Sequence, residues 1–115
     1  SFGDQKLSRK LRKQYIRPFP NAASRKGALA FARSLLNDQA WFQGLWERKS
    51  EMEKWNWLLI WGMKDKFCGP KYLEGFRAGF PDAVVVQLET VGHFPQEEAP
   101  ETVASQISKF ISGGR

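Results

Sequence analysis

Apolar residues are spaced differently in the two halves of the chain. In residues 1–55 they recur at helical intervals. Leu7, Leu11 and Tyr15 are four apart, with Ser8 placed to cap a first helix that Pro18 stops. "RPFPNAAS" (residues 17–24) reads as a Pro-rich turn. Ser24 is then expected to cap a second helix with Ala28, Phe31, Ala32 and Leu35 on one face. Asn37-Asp38 breaks that helix. A third helix carries Phe42, Leu45, Trp46 and Met52 roughly on one side.

Residues 56–115 change texture. Trp57–Trp61 is an unbroken apolar run, and Ala83–Leu88 contains three consecutive valines. Continuous apolar runs of strand length suit parallel strands covered on both faces. Between them Tyr72, Leu73, Phe76 and Phe80 form a helical face that "FPD" ends. Val103, Ile107, Phe110 and Ile111 stripe a last helix, with Pro100 in its first turn and Gly113-Gly114 after its end. The pattern predicts an α/β chain, a helical segment over 1–55 followed by β-α-β-α over 56–115. Two parallel strands alone make no stable sheet. Further strands are therefore expected from another chain, or the sheet is covered by self-association.

At 115 residues the chain is the size of one small domain. A 14% aromatic content argues against disorder, and the five Trp are expected to pack rather than to stack on a ligand. No apolar run approaches the roughly 20 residues needed to span a bilayer, and residues 1–10 lack the apolar core of a signal peptide. The single cysteine, Cys68, cannot form an internal disulfide, which fits a reducing, cytoplasmic location. The net charge of +6 is uneven. Residues 1–33 carry +8, and the remainder −2. A solvated helical face explains this; nucleic-acid binding rests on charge alone, since no recognition-module signature accompanies it.

Candidate chemistry gathers after the two strands. Asp65 lies four residues past Trp61 in "WGMKDKF", and His93, the chain's one histidine, lies five past Leu88 in "LETVGHF". Functional groups collect beyond the carboxyl ends of parallel strands, so the two side chains can meet as a base and its orienting acid. Spacing alone leaves the alternative, two unrelated loop residues, open. No nucleophile accompanies them. The one stretch with elbow spacing is "GFRAG", centred on Arg77 inside a predicted helix. Cys68 can be drawn beside His93 as a nucleophile, although an inert buried thiol is the simpler reading. One His and one Cys are too few for the common zinc sites, so no metal is expected. No Gly-rich phosphate loop is present and no cofactor is implied.

The stretch "LLIWGMKDKFCGPKYLEGF…FPDAVVVQLETVGHFPQEEAPETVASQISKFI" resembles the C-terminal part of α/β-hydrolases, and of haloalkane dehalogenases in particular. "YIRPFPNAASRKGALAFARSL" is similar to the end of that family's helical cap. The resemblance covers nearly the whole chain in order. It implies a partial α/β-hydrolase fold, a cap remnant followed by the last β-α-β-α. It also implies that His93 is the base activating water against a covalent intermediate and Asp65 the acid orienting it. Phe31, Ala32, Leu35, Phe67, Cys68 and Phe94 would line a pocket for a small apolar, halogenated substrate. The family's Asp nucleophile, oxyanion-hole donors and halide-binding Trp belong upstream of this region, so the chain is expected to be inactive alone. It would work with a companion N-terminal half. The alternative is a non-catalytic, self-associating homo-oligomer of hydrolase ancestry. An oxetanone decarboxylase or epoxide hydrolase relative shares the same C-terminal motifs.

Overall fold

A computed structural model describes residues 2–113. The chain forms two compact units, Leu7–Met52 and a second that joins the first six residues to the rest of the chain from Glu53. Each is described separately.

In the helical unit, α1 (Arg9–Ile16) begins where the sequence places it. The Ser8 Oγ accepts the Leu11 N–H at 3.1 Å, satisfying a donor the first turn leaves open. Ser24 does not cap α2. Its hydroxyl donates to the Asn21 carbonyl at 2.8 Å while its amide donates to Asn21 Oδ1 at 2.9 Å, so it closes the preceding turn. The helix α2 (Lys26–Asn37) starts after Arg25 without a side-chain cap. Asp38 separates it from α3 (Gln39–Glu47). Met52, expected on the third helix, instead ends a 3-10 turn, Lys49–Met52, because α3 stops at Glu47.

The second unit carries β1 (Leu58–Gly62), α4 (Pro70–Gly79), β2 (Val84–Leu88), a one-turn α5 (Pro95–Glu98) and α6 (Pro100–Ile111). The sequence pattern held no signal for α5, which is too short for periodicity. The strands pair in parallel, with Leu58 opposite Val84 and Gly62 opposite Leu88. Both carboxyl ends therefore lie side by side. Among the described residues, Leu59, Leu73, Phe80 and Val91 are the buried apolar side chains. Trp57 packs on Phe80 with ring centroids 4.5 Å apart, and Trp61 on Phe76 at 5.7 Å. These two tryptophans pack, as expected. The helical faces are less completely covered than their periodicity suggests. Tyr72 on α4 is 57% exposed and Ile111 on α6 is 77% exposed. The three valines of β2 and Leu58, Ile60 and Trp61 of β1 are half-buried. Two strands are too few to cover both faces of an apolar ribbon.

Candidate active site

The site is built on two loops that leave the paired ends of β1 and β2. Backbone bonds join the loops to each other. The Met63 N–H donates to the Leu88 carbonyl at 3.0 Å and the Lys64 N–H to the Val91 carbonyl at 2.9 Å. Gly62 makes this approach possible, since a Cβ there would sit 2.0 Å from the Gly92 carbonyl oxygen. The loop after β1 then presents Asp65 and the loop after β2 presents His93.

These two side chains meet. His93 Nδ1 lies 2.7 Å from Asp65 Oδ2. The Asp65 side chain is 7% exposed and that of His93 37%. The other carboxylate oxygen, Oδ1, accepts the Phe67 N–H at 2.8 Å. Burial disfavours the Asp65 anion, but hydrogen bonds from His93 and from the Phe67 and Cys68 amides outweigh it. The net effect holds the carboxyl below its ordinary value. An ionised Asp65 can only accept, so the contact orients the ring with its proton on Nδ1 and leaves Nε2 free of this contact. Chemically this is an oriented general base.

Of the expected pocket residues, three stand around this pair. The Phe94 ring lies edge-on to His93 at 5.1 Å and the Phe67 ring at 5.6 Å. Cys68 is half-buried. Its sulfur, an Asp65 oxygen and a His93 nitrogen all lie within 4.8 Å of one another. Burial pushes the Cys68 thiol up, and the Asp65 charge pushes the same way. Cys68 is thus poorly suited to act as a thiolate nucleophile. Phe31, Ala32 and Leu35 lie on exposed positions of α2 in the helical unit.

Several supporting groups were invisible to the sequence reading. Glu98 is 5% exposed and its carboxylate is divided between two backbone amides. Oε1 accepts the Gly92 N–H at 2.9 Å and Oε2 the Gly3 N–H at 2.7 Å. Gln5 donates to the Glu98 carbonyl at 3.0 Å, and the Asp4 amide to the Thr90 carbonyl at 2.9 Å. The N-terminal segment is thereby fastened to the loop that carries His93, and Phe2 packs on Phe94 at 5.8 Å. On the other loop, the Trp61 indole N–H donates to the Cys68 carbonyl at 2.7 Å. Glu98 lies within the quoted "GHFPQEE", but no local pattern marks a glutamate for burial.

An acid–base pair at the carboxyl ends of adjacent parallel strands defines a class. Residues 3–100 match the α/β-hydrolase fold family, and the chain belongs to it. Within that family the sequence is haloalkane dehalogenase-like. It is 38% identical over 90 residues to haloalkane dehalogenase 2 of Mycobacterium tuberculosis (strain ATCC 25618 / H37Rv), covering 76% of this chain and 32% of that protein. A cis-3-alkyl-4-alkyloxetan-2-one decarboxylase of Xanthomonas campestris pv. campestris is 26% identical over 108 residues, 88% of this chain and 35% of the relative. Lipase 3 of Moraxella sp. (strain TA144) is 33% identical over 69 residues, 58% and 22% of the two chains. The chain spans about a third of the length of the dehalogenases it matches.

Proposed function

We propose that this chain supplies the acid–base part of a haloalkane dehalogenase-like hydrolase, and that the nucleophile comes from sequence outside these 115 residues. The 2.7 Å contact between His93 and Asp65 carries this reading. In the proposed cycle, an Asp nucleophile displaces halide from an alkyl carbon and forms an ester. His93 then takes a proton from water as that water attacks the ester carbonyl, releasing the alcohol and restoring the carboxylate. Asp65 stabilises the imidazolium that forms. Phe67, Phe94 and Cys68 beside the pair supply apolar surface of the kind a small halogenated substrate needs.

The test is halide release from simple bromo- and chloroalkanes. The chain alone is expected to release negligible halide, because the covalent step lacks its nucleophile. Supplying a polypeptide with a G-x-D-x-G elbow is expected to restore turnover. His93→Ala should then lower steady turnover by about 10²–10⁴-fold and leave the companion's Asp alkylated, as read by mass spectrometry. Turnover by the chain alone that survives loss of both Asp65 and His93 would sink the proposal.

The half-buried strands, apolar except at Gln87, favour one further reading, self-association through the sheet. It is compatible with an intact acid–base pair and is tested separately below.

A further inference from the structure

We propose that Asp65, Cys68 and His93 form a binding site for a borderline-soft divalent cation of the Zn2+ class. The one His and one Cys of the chain are by themselves too few donors for zinc. The fold adds a carboxylate and brings oxygen, sulfur and nitrogen within 4.8 Å of one another. Tetrahedral zinc, with bonds of about 2.0–2.3 Å, holds its ligand atoms roughly 3.3–3.8 Å apart. Side-chain rotation must widen the 2.7 Å Asp65–His93 contact and draw the sulfur to the same spacing.

Three observations set this trio apart from acidic groups that merely share a surface. The Asp65 side chain is nearly inaccessible, at 7% exposure. The Cys68 backbone is held at both ends, its carbonyl by the Trp61 indole and its amide by Asp65. The two donor loops are bonded to each other through Lys64 and Val91, and Glu98 anchors the loop of His93. The loops that carry the donors are therefore ordered before any ion arrives, and only side-chain rotation is left to binding. Their chemistry selects the ion. A thiolate and an imidazole suit zinc, cadmium or cobalt and are poor partners for magnesium or calcium. The partial exposure of His93 leaves a fourth position for water.

Binding forms metal–sulfur, metal–nitrogen and metal–oxygen bonds and releases the thiol proton to solvent, the charge of the ion offsetting the burial and the Asp65 charge that keep the free thiol protonated. It also breaks the Asp65–His93 hydrogen bond, so a bound ion and an oriented base exclude each other. Metal capture requires only the geometry of these three residues and does not rest on the hydrolytic reading.

The experiment is a Co2+ titration of the complete chain, reduced and free of chelator. The expected result is a thiolate-to-cobalt charge-transfer band with tetrahedral d–d absorption, saturating at one equivalent and bleached by Zn2+. Cys68→Ser should abolish the charge-transfer band. His93→Ala and Asp65→Asn should each weaken binding by at least about tenfold, with circular dichroism confirming their fold. No charge-transfer band, or one unchanged in Cys68→Ser, overturns the site. In the unaltered chain, where no variant has to fold, Zn2+ should slow alkylation of Cys68 at least tenfold. Equal alkylation rates with and without Zn2+ also overturn it. Both readouts are independent of halide release, so failure of the metal site and failure of the hydrolase reading are distinguished.

Discussion

At the scale of single residues, the site turns on Asp65. Burial works against its charge, while the bonds from His93 and two backbone amides work for it and prevail. Its folded-state pKa lies below the unfolded value. The stability it contributes is therefore fully present above the unfolded value and is lost as pH falls through the folded one. A carboxyl-carbon NMR titration should find Asp65 ionised below the ordinary carboxylate range, and Asp65→Asn should remove that part of the acid-unfolding profile. A midpoint at or above the ordinary aspartate value would contradict the assigned bonding. The candidacy of Asp65 and His93 was legible in sequence, because each follows an apolar strand by a fixed short distance. That Cys68 stands beside them was implied by the resemblance and not by spacing, since its position relative to both depends on how two loops fold back.

At the scale of elements, the loops are held by contacts that a one-atom change should disturb. Gly62→Ala places a methyl group on the Gly92 carbonyl. The loop of His93 must then shift, and the Asp65–His93 bond should lengthen or break. Loss of the downfield Nδ1 proton resonance would register this; an unchanged resonance would refute the close approach. Glu98→Ala should cost about 1–3 kcal/mol by leaving the buried Gly92 amide unpaired, read by urea denaturation. Glu98→Gln, which retains one acceptor oxygen, should cost less. Among the helices, Ser8→Ala should remove about 1 kcal/mol from α1, while Ser24→Ala acts on a turn rather than a cap. The two serines look alike in sequence. What separates them is the competing asparagine three residues before Ser24, whose side chain and carbonyl capture it first.

On the scale of the whole molecule, the apolar strands remain half-covered and the buried apolar residues of the described chain are four. Leu73, fully inaccessible, sits among them, and Leu73→Ala should cost about 2–5 kcal/mol. Self-association predicts a concentration-dependent sedimentation coefficient that falls to the monomer value when Val85 and Ile60 are made polar. A single monomeric species at high concentration would end that reading and favour completion by a companion chain. Among the described residues, no helix is long and apolar enough to cross a membrane.

The sequence by itself determined the helical character of the first half, the two parallel strands and the loops bearing Asp65 and His93, though not the start of α2 or the end of α3. All of these follow from periodicity, caps and apolar runs, which act over a few residues. The helical spacing of apolar positions found Leu73 and Phe76 on the covered side of α4, but Tyr72, Ile107 and Ile111 of the expected faces are exposed, because coverage depends on neighbours. Only the tertiary structure decided that Glu98 is buried and that residues 2–5 fasten the histidine loop. The Gly3–Glu98 bond spans 95 positions and the Asp65–His93 bond 28. Contacts at such separations leave no local pattern, since each partner is chosen by the path of the whole chain.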